Sequence, residues 1–282
     1  MPLGTGPSAR FGSTIHVTLP TMEYVMRPTM LALVIALALP AVALAGVSNL
    51  HSGAISATVA KAVNDPARQA DKSNDARRRI AAVMMFAEVK PGQKVLELIP
   101  GSGYFTRVFS ALVGSAGHVY TVWPNEYAKE DADDVTGSQK LATDPHYANV
   151  SVLTQPANQL SAPEPVDMVF TSQNYHDYPD KFMGHVDPAV LNKQVFDALK
   201  PGGLWVIIDH VAPVGSGMAD TDSLHRIDPA IVKQQVEAAG FVFDGESNAL
   251  RNPADPHTIK VFDKSIRGHT DQFMYRFRKP AK

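Results

Sequence analysis

The sequence predicts an α/β fold: a doubly wound, mostly parallel seven-stranded sheet with an antiparallel edge strand and helices on both faces. Three observations carry this. Five short apolar runs alternate with stretches of helical periodicity. The first run empties into Gly101-Ser102-Gly103, a turn that opens a helix. Pro201-Gly202-Gly203 stops a helix just before the fifth run. Runs that are apolar throughout suit strands covered on both faces, as parallel sheets require.

The elements follow in order. Ile80, Val83, Met84 and Ala87 recur at helical spacing, which predicts a helix over 70–86 ending before Pro91-Gly92. Lys94 to Ile99 (KVLELI) reads as the first strand, and Phe105 to Val113 as a helix closed by Gly114. His118 to Val122, Val150 to Leu153 and Val166 to Thr171 read as the next three strands. Pro188 to Leu199 is a helix, Leu204 to Asp209 (LWVIID) the fifth strand, and Asp228 to Ala239 a helix closed by Gly240. Phe241 to Phe243 and Gln272 to Phe277 are the last strands, joined by a long turn-rich loop that suits an antiparallel pair at one edge.

The amino terminus has a different character. Arg27 precedes an uncharged apolar run, Leu31 to Ala45, that ends in Ala43-Leu44-Ala45. A short positive region, an apolar core and a small-x-small site make a secretory signal pattern. The run is shorter than the ~20 residues of a membrane-spanning helix. The expected organisation is therefore an upstream, non-native extension (1–25), a signal peptide (26–45), a linker (46–64) that turns helical near its end, and one domain (65–282). Export, to the periplasm, is the expectation, with no stable membrane anchor after signal removal.

The 282 residues carry a formal net charge of -2 and no cysteine. The charge offers no basic excess for a nucleic-acid backbone, so a small-molecule substrate is expected. The lack of cysteine excludes disulfides, thiolate metal sites and a cysteine nucleophile.

In a doubly wound sheet, ligands sit at the carboxyl ends of the strands near the switch in strand order. That rule selects 100–104, 123–126, 154–158, 172–177 and 209–214. Gly101 and Gly103 let backbone approach a ligand, and a helix start favours a carboxylate or phosphate. Glu97 is placed to hold the chain or to accept from an ammonium. In the fourth segment, Asn174 can orient an acceptor, Tyr175 can pack or donate, His176 can remove a proton near its reference pKa of ~6.5, and Asp177 can orient His176. Asp209-His210 and His225-Arg226 add further imidazole and carboxylate groups to the same face. No short His-x-x-x-His spacing is present, so a polar network is preferred to a metal site.

Glu97-Leu98-Ile99-Pro100-Gly101-Ser102-Gly103-Tyr104 resembles the first motif of class I S-adenosylmethionine-dependent methyltransferases. Leu199 to Asp209 (LKPGGLWVIID) resembles the segment before their fifth strand. Asn174-Tyr175-His176-Asp177, Asp209-His210 and His225-Arg226-Ile227-Asp228 resemble, more narrowly, an exported predicted-methyltransferase group. The resemblance runs from about residue 65 to 280 and implies a Rossmann-like fold with S-adenosylmethionine as cofactor. It implies that Glu97, Pro100, Gly101, Ser102, Gly103 and Tyr104 hold the methionine part, and that Trp123, Glu126 and Asn158 hold the adenosine part. Asn174, Tyr175, His176, Asp177, Asp209, His210 and His225 would then face the methyl acceptor.

The sequence departs from the motif at two places. Ile99 occupies the first glycine position, and Val122-Trp123 stands where a ribose-binding carboxylate ends the second strand. A non-catalytic periplasmic ligand-binding protein on the same fold is therefore the alternative reading, and a metal-assisted hydrolase a third.

Overall fold

The computed structural model describes residues 57–282. The expected upstream extension, the signal segment and most of the linker lie outside the described residues. A helical stretch at 57–63 ends the linker, as anticipated. No helix among the described residues is long and apolar enough to cross a membrane.

Seven strands form one sheet: β1 (Lys94–Leu98), β2 (His118–Pro124), β3 (Val150–Gln155), β4 (Val166–Ser172), β5 (Leu199–His210), β6 (Val242–Glu246) and β7 (Gln272–Arg278). Their order is β3-β2-β1-β4-β5-β7-β6. The first five pair in parallel, and β7 runs antiparallel between β5 and the edge strand β6. The chain thus winds outward from β1 on one side and from β4 on the other, which places the switch between those two strands.

Alternation along the strands divides the core. Val95, Met168, Phe170, Val206 and Ile208 face α1 (Ile80–Ala87) and α2 (Tyr104–Val113), contacting Val83, Met84, Val108 and Phe109 in one cluster. Leu96, Leu98, Val169, Trp205 and Ile207 face the other way, clustering with Leu191 and Val195 of α5 (Pro188–Ala198) and Val232 and Val236 of α6 (Pro229–Ala238). Each fully buried side chain of this size contributes about 1.5–3 kcal/mol. The starts of α5 and α6 share one device: Asp187 and Asp228 each accept a capping hydrogen bond from the residue after a first-turn proline.

Two expectations about helices need correction. The helix expected over 70–86 is broken into a 3-10 segment (Pro66–Asp71), one helical turn (Lys72–Asp75) and α1. Arg79, at φ 47°, turns the backbone left-handed and interrupts it. The chain between β2 and β3 carries α3 (Asn125–Glu130) and α4 (Ala132–Thr143), which periodicity does not reveal because only Ser138 and Leu141 of α4 are buried. Asp65 caps the 3-10 segment, accepting from the amide of Ala67 at 2.9 Å.

Candidate active site

The loop after β1 turns through three left-handed residues, Ile99 (φ 51°), Gly101 (φ 55°) and Gly103 (φ 79°). The two glycines serve different ends. A Cβ on Gly103 would meet Leu141 Cδ1 at 2.8 Å, so this glycine lets α4 pack over the loop. A Cβ on Gly101 would meet only Asp134 Oδ2, at 3.6 Å, across a cleft of about 200 Å3. Ile99 holds, as a β-branched residue, a conformation that costs about 1–3 kcal/mol. Asn174 supports it, its Nδ2 donating to the carbonyls of Ile99 (3.2 Å) and Leu98 (3.4 Å).

Glu97, Pro100, Gly101, Ser102 and Tyr104 line this cleft, and so does Asn174, which was expected to face the acceptor instead. Trp123, Glu126 and Asn158 do not, and their assignment to an adenosine site is corrected. Trp123 is fully buried in the core, because the pleat turns it toward the α5 face. Glu126 accepts from the amide of Ala157 at 2.9 Å, tying α3 to the loop after β3. Asn158 is exposed, with its carbonyl held by Gln194. In their place stand Arg78, Tyr127, Asp131 and Asp134. Tyr127 comes from α3, Asp134 from α4 and Asp131 from the residue between them, all in a polar stretch whose helices periodicity does not reveal.

Arg78 is the most informative of these. Its guanidinium lies over the rings of Tyr104 (4.7 Å) and Phe105 (5.5 Å). Burial, and then the charge of Arg77, pull its pKa down. Its Nε is buried with no partner, and among the described residues it forms no ion pair. The nearby acids Asp71 and Asp75 are committed to other partners: Asp71 binds Arg107 through two bonds of 2.6 Å, and Asp75 takes Arg68 (2.9 Å) and the Tyr104 hydroxyl (2.7 Å). Asn174 Oδ1 is a second buried atom without a partner in the same cleft.

Glu97 lies beneath the loop, accepting from Thr106 Oγ1 at 2.6 Å. Burial outweighs that bond and the charges of Arg107 and Arg78, and pushes its carboxyl up to about 8. The folded protein therefore holds a proton that the unfolded chain releases above ~4.5, and stability falls as pH rises between those two values. Glu97→Gln is expected to remove this slope, on the order of 4 kcal/mol across the window. Urea unfolding at pH 5 and pH 8.5 checks it: the variant should gain on the wild type at the higher pH, and an equal difference at both would contradict the assignment.

A second cavity, of about 510 Å3, adjoins the cleft through Tyr127, Asp131 and Gln173. His176, Asp177, His210 and His225 line it, with Phe182 and Phe262. Asp209 is wholly buried behind them and organises the group. It accepts from His176 Nδ1 (2.7 Å), the His176 amide (2.9 Å) and the His210 amide (2.8 Å). Asp177 Oδ1 stands 3.2 Å from His176 Nε2 and 3.6 Å from His225 Nδ1.

Burial alone would lower the His176 pKa, but Asp209 and Asp177 outweigh it and hold His176 well above its usual value. Burial would raise Asp177, but the charge of His176 and contacts from both histidines lower it to about 2. With a carboxylate at each ring nitrogen, His176 has no free nitrogen for the general-base role expected of it, and that role is corrected. His210 is driven the other way, down to about 3, chiefly by burial. Its Nδ1 lies 2.7 Å from the Thr270 hydroxyl, which in turn accepts from Gln272 Nε2 at 3.2 Å.

Tyr175 is also corrected. It is buried on the opposite face, its hydroxyl 3.1 Å from Asn192 Oδ1, and packs against Trp205. In the His225-Arg226-Ile227-Asp228 stretch only His225 reaches the cavity. Arg226 is fully buried, bound to Asp255 at 2.9 and 3.1 Å, and Asp228 caps α6. Of the C-terminal arginines, Arg251 pairs with Asp271 and Arg276 with Asp244 and Glu88, while Arg267 borders an adjoining hollow with Arg77 and Arg78.

The sheet order, the glycine loop after β1 and a cleft at the β1–β4 switch define a protein of the class I S-adenosylmethionine-dependent methyltransferase type. The chain belongs to the protein-L-isoaspartate(D-aspartate) O-methyltransferase (PCMT) family, whose model matches residues 66–245. It is similar to a protein-L-isoaspartate O-methyltransferase of Methanosarcina mazei, 31% identical over 49% of this chain and 47% of that protein. It is also similar to the ubiquinone/menaquinone biosynthesis C-methyltransferase UbiE of Vibrio campbellii, 27% identical over 65% of this chain and 61% of that protein. The chain thus spans less than two thirds of the length of these curated relatives. Among solved structures, an S-adenosylmethionine-dependent methyltransferase from Mesorhizobium loti is 13% identical, with a TM-score of 0.50, covering 71% of this chain and 97% of that one. At that identity the likeness shows the fold.

Proposed function

We propose that this protein is an exported, periplasmic enzyme that transfers a methyl group from S-adenosylmethionine to a small-molecule acceptor. One observation carries the reading: a cleft at the β1–β4 switch presents an unpaired guanidinium and an unpaired amide oxygen beside Gly101. These groups fit the amino-acid end of the cofactor. Arg78 would hold its carboxylate, while Asn174 Oδ1 and Glu97 would accept from its ammonium. Asp131 and Asp134 offer the carboxylates for ribose hydroxyls that β2 does not provide, and Tyr127 offers a ring beside them.

S-adenosylmethionine, when bound, supplies an electrophilic methyl group. The chain's own task is alignment, which suffices for much of the rate of a displacement. The acceptor would lie in the adjoining cavity, between the rings of Phe182 and Phe262. Asp177, ionised across the neutral range, is its hydrogen-bond acceptor for a hydroxyl or amine of the substrate. Asp209 keeps His176, and through it Asp177, in place. The two relatives named above differ in what they methylate, so the acceptor follows from this cavity rather than from kinship. Periplasmic export is supported by Arg27, the apolar run Leu31 to Ala45 and its Ala43-Leu44-Ala45 end.

The carboxylate assignment has a selective test. Arg78→Ala is expected to weaken S-adenosylhomocysteine binding by about tenfold or more, in keeping with the 1.5–3 kcal/mol of a charge-assisted bond. Adenosine, which lacks the amino-acid end, should bind both proteins equally in calorimetric titration. Equal loss for both ligands, or no loss for either, would remove Arg78 from the cofactor site.

A further inference from the structure

We propose that His176 Nε2, Asp177 Oδ1 and His225 Nδ1 form a site for a divalent transition metal of the zinc class, open to the acceptor cavity. Two of the atoms come from adjacent residues in the turn after β4 and the third from a residue much further along the chain, yet all lie within 4.8 Å of one another. A tetrahedral zinc with bonds of about 2.0–2.1 Å sets its ligand atoms roughly 3.3 Å apart. Asp177 Oδ1 stands 3.2 and 3.6 Å from the two nitrogens.

The surroundings are those of a metal ligand set. Histidine ligands donate their second ring N–H to a carboxylate, which fixes the ring and raises its basicity. Asp209 receives His176 Nδ1 at 2.7 Å and is itself fixed by two backbone amides. His225 is held in the left-handed region at φ 55°, and its side chain, 20% exposed, packs against Phe262 and, edge-on, against His176, with ring centroids 4.8 and 5.5 Å apart. The backbone beside it is clamped: Arg226 is locked to Asp255 and to the carbonyls of Ile259 and Val211, and the Leu224 carbonyl accepts from Val261. Strain of about 1–3 kcal/mol is thus imposed on a side chain that contributes little to the core, and it aims an imidazole at Asp177.

Two imidazoles and one carboxylate, without a thiolate, select a borderline cation over calcium or magnesium. Three protein ligands beside a cavity of about 510 Å3 leave a position for an outside ligand. Resting on the methyl-transfer reading, that ligand is an oxygen of the acceptor, which makes hydroxylated or carboxylated small molecules the substrate class. No His-x-x-x-His spacing marks this set in the sequence, because the second imidazole, His225, is brought to His176 and Asp177 only by the fold.

The test is zinc titration of the full-length chain after dialysis against chelator, with bound metal counted by atomic spectroscopy. The wild type should take up zinc at a ratio near one, and His225→Ala and Asp177→Asn should lose it while keeping the wild-type circular dichroism. Asp209→Asn should keep the stoichiometry and weaken affinity about 10–100-fold. Failure of the wild type to bind at that ratio, or equal binding by His225→Ala and Asp177→Asn, would overturn the site. S-adenosylhomocysteine titration of the same samples separates the two readings: cofactor binding without zinc overturns only the metal site, and zinc without cofactor binding leaves the metal site standing and overturns methyl transfer.

Discussion

Replacing Asp209 with alanine is expected to destabilise the protein by about 3–5 kcal/mol, the cost of removing one partner from a buried ion pair. The carboxylate is wholly buried and accepts three hydrogen bonds, two of them from backbone amides at the end of β5 and the start of the turn after β4. Its loss strands those amides and leaves the His176 imidazolium, 3% exposed, with Asp177 alone. Each stranded group adds a desolvation cost of about 1–3 kcal/mol, partly relieved by local collapse. Asparagine at 209 keeps the volume and one acceptor oxygen, so Asp209→Asn should lose roughly half as much. The urea midpoint at pH 7 reads both. A loss under about 1 kcal/mol for alanine would mean that the carboxylate is not the organiser of the cavity wall.

Gly101→Val is expected to abolish cofactor binding, by a factor of a hundred or more, about 2.7 kcal/mol. Two effects add. Valine at φ 55° carries left-handed strain of about 1–3 kcal/mol, and its methyl groups enter the cleft opposite Asp134. Gly103→Val provides the contrast. There the new Cβ strikes Leu141 Cδ1, so the first consequence is a loss of packing between the loop and α4, read as a lower melting temperature. Equal cofactor affinity for Gly101→Val and wild type would place the ligand elsewhere.

The strands were legible because their pattern has one cause. β1, β4 and β5 are covered on both faces, so they read as mainly apolar runs broken by single polar residues, and Pro and Gly mark the boundaries of two of them. The helices α5 and α6 announce themselves through Asp-Pro starts. The polar α4 was illegible because it buries almost nothing, and with α3 it carries Tyr127, Asp131 and Asp134 to the cleft. Arg78 was missed for a related reason: its partnerless state is a fact of three dimensions, and in sequence it is one arginine among three. Trp123 and Tyr175 misled because large aromatics beside strand ends can face either way: the pleat of β2 turns Trp123, and the turn after β4 turns Tyr175, into the core. Left-handed backbone at Ile99, Gln173 and His225, all bordering the site, has no signature in residue type.

The central claim is that the cleft beside Gly101 takes S-adenosylmethionine, and equilibrium dialysis of the full-length protein against the radiolabelled cofactor tests it most directly. The expected result is saturable binding with one site per chain, competed by S-adenosylhomocysteine and lost in Gly101→Val. Absence of saturable binding by the folded wild type, or binding that Gly101→Val retains in full, would contradict it.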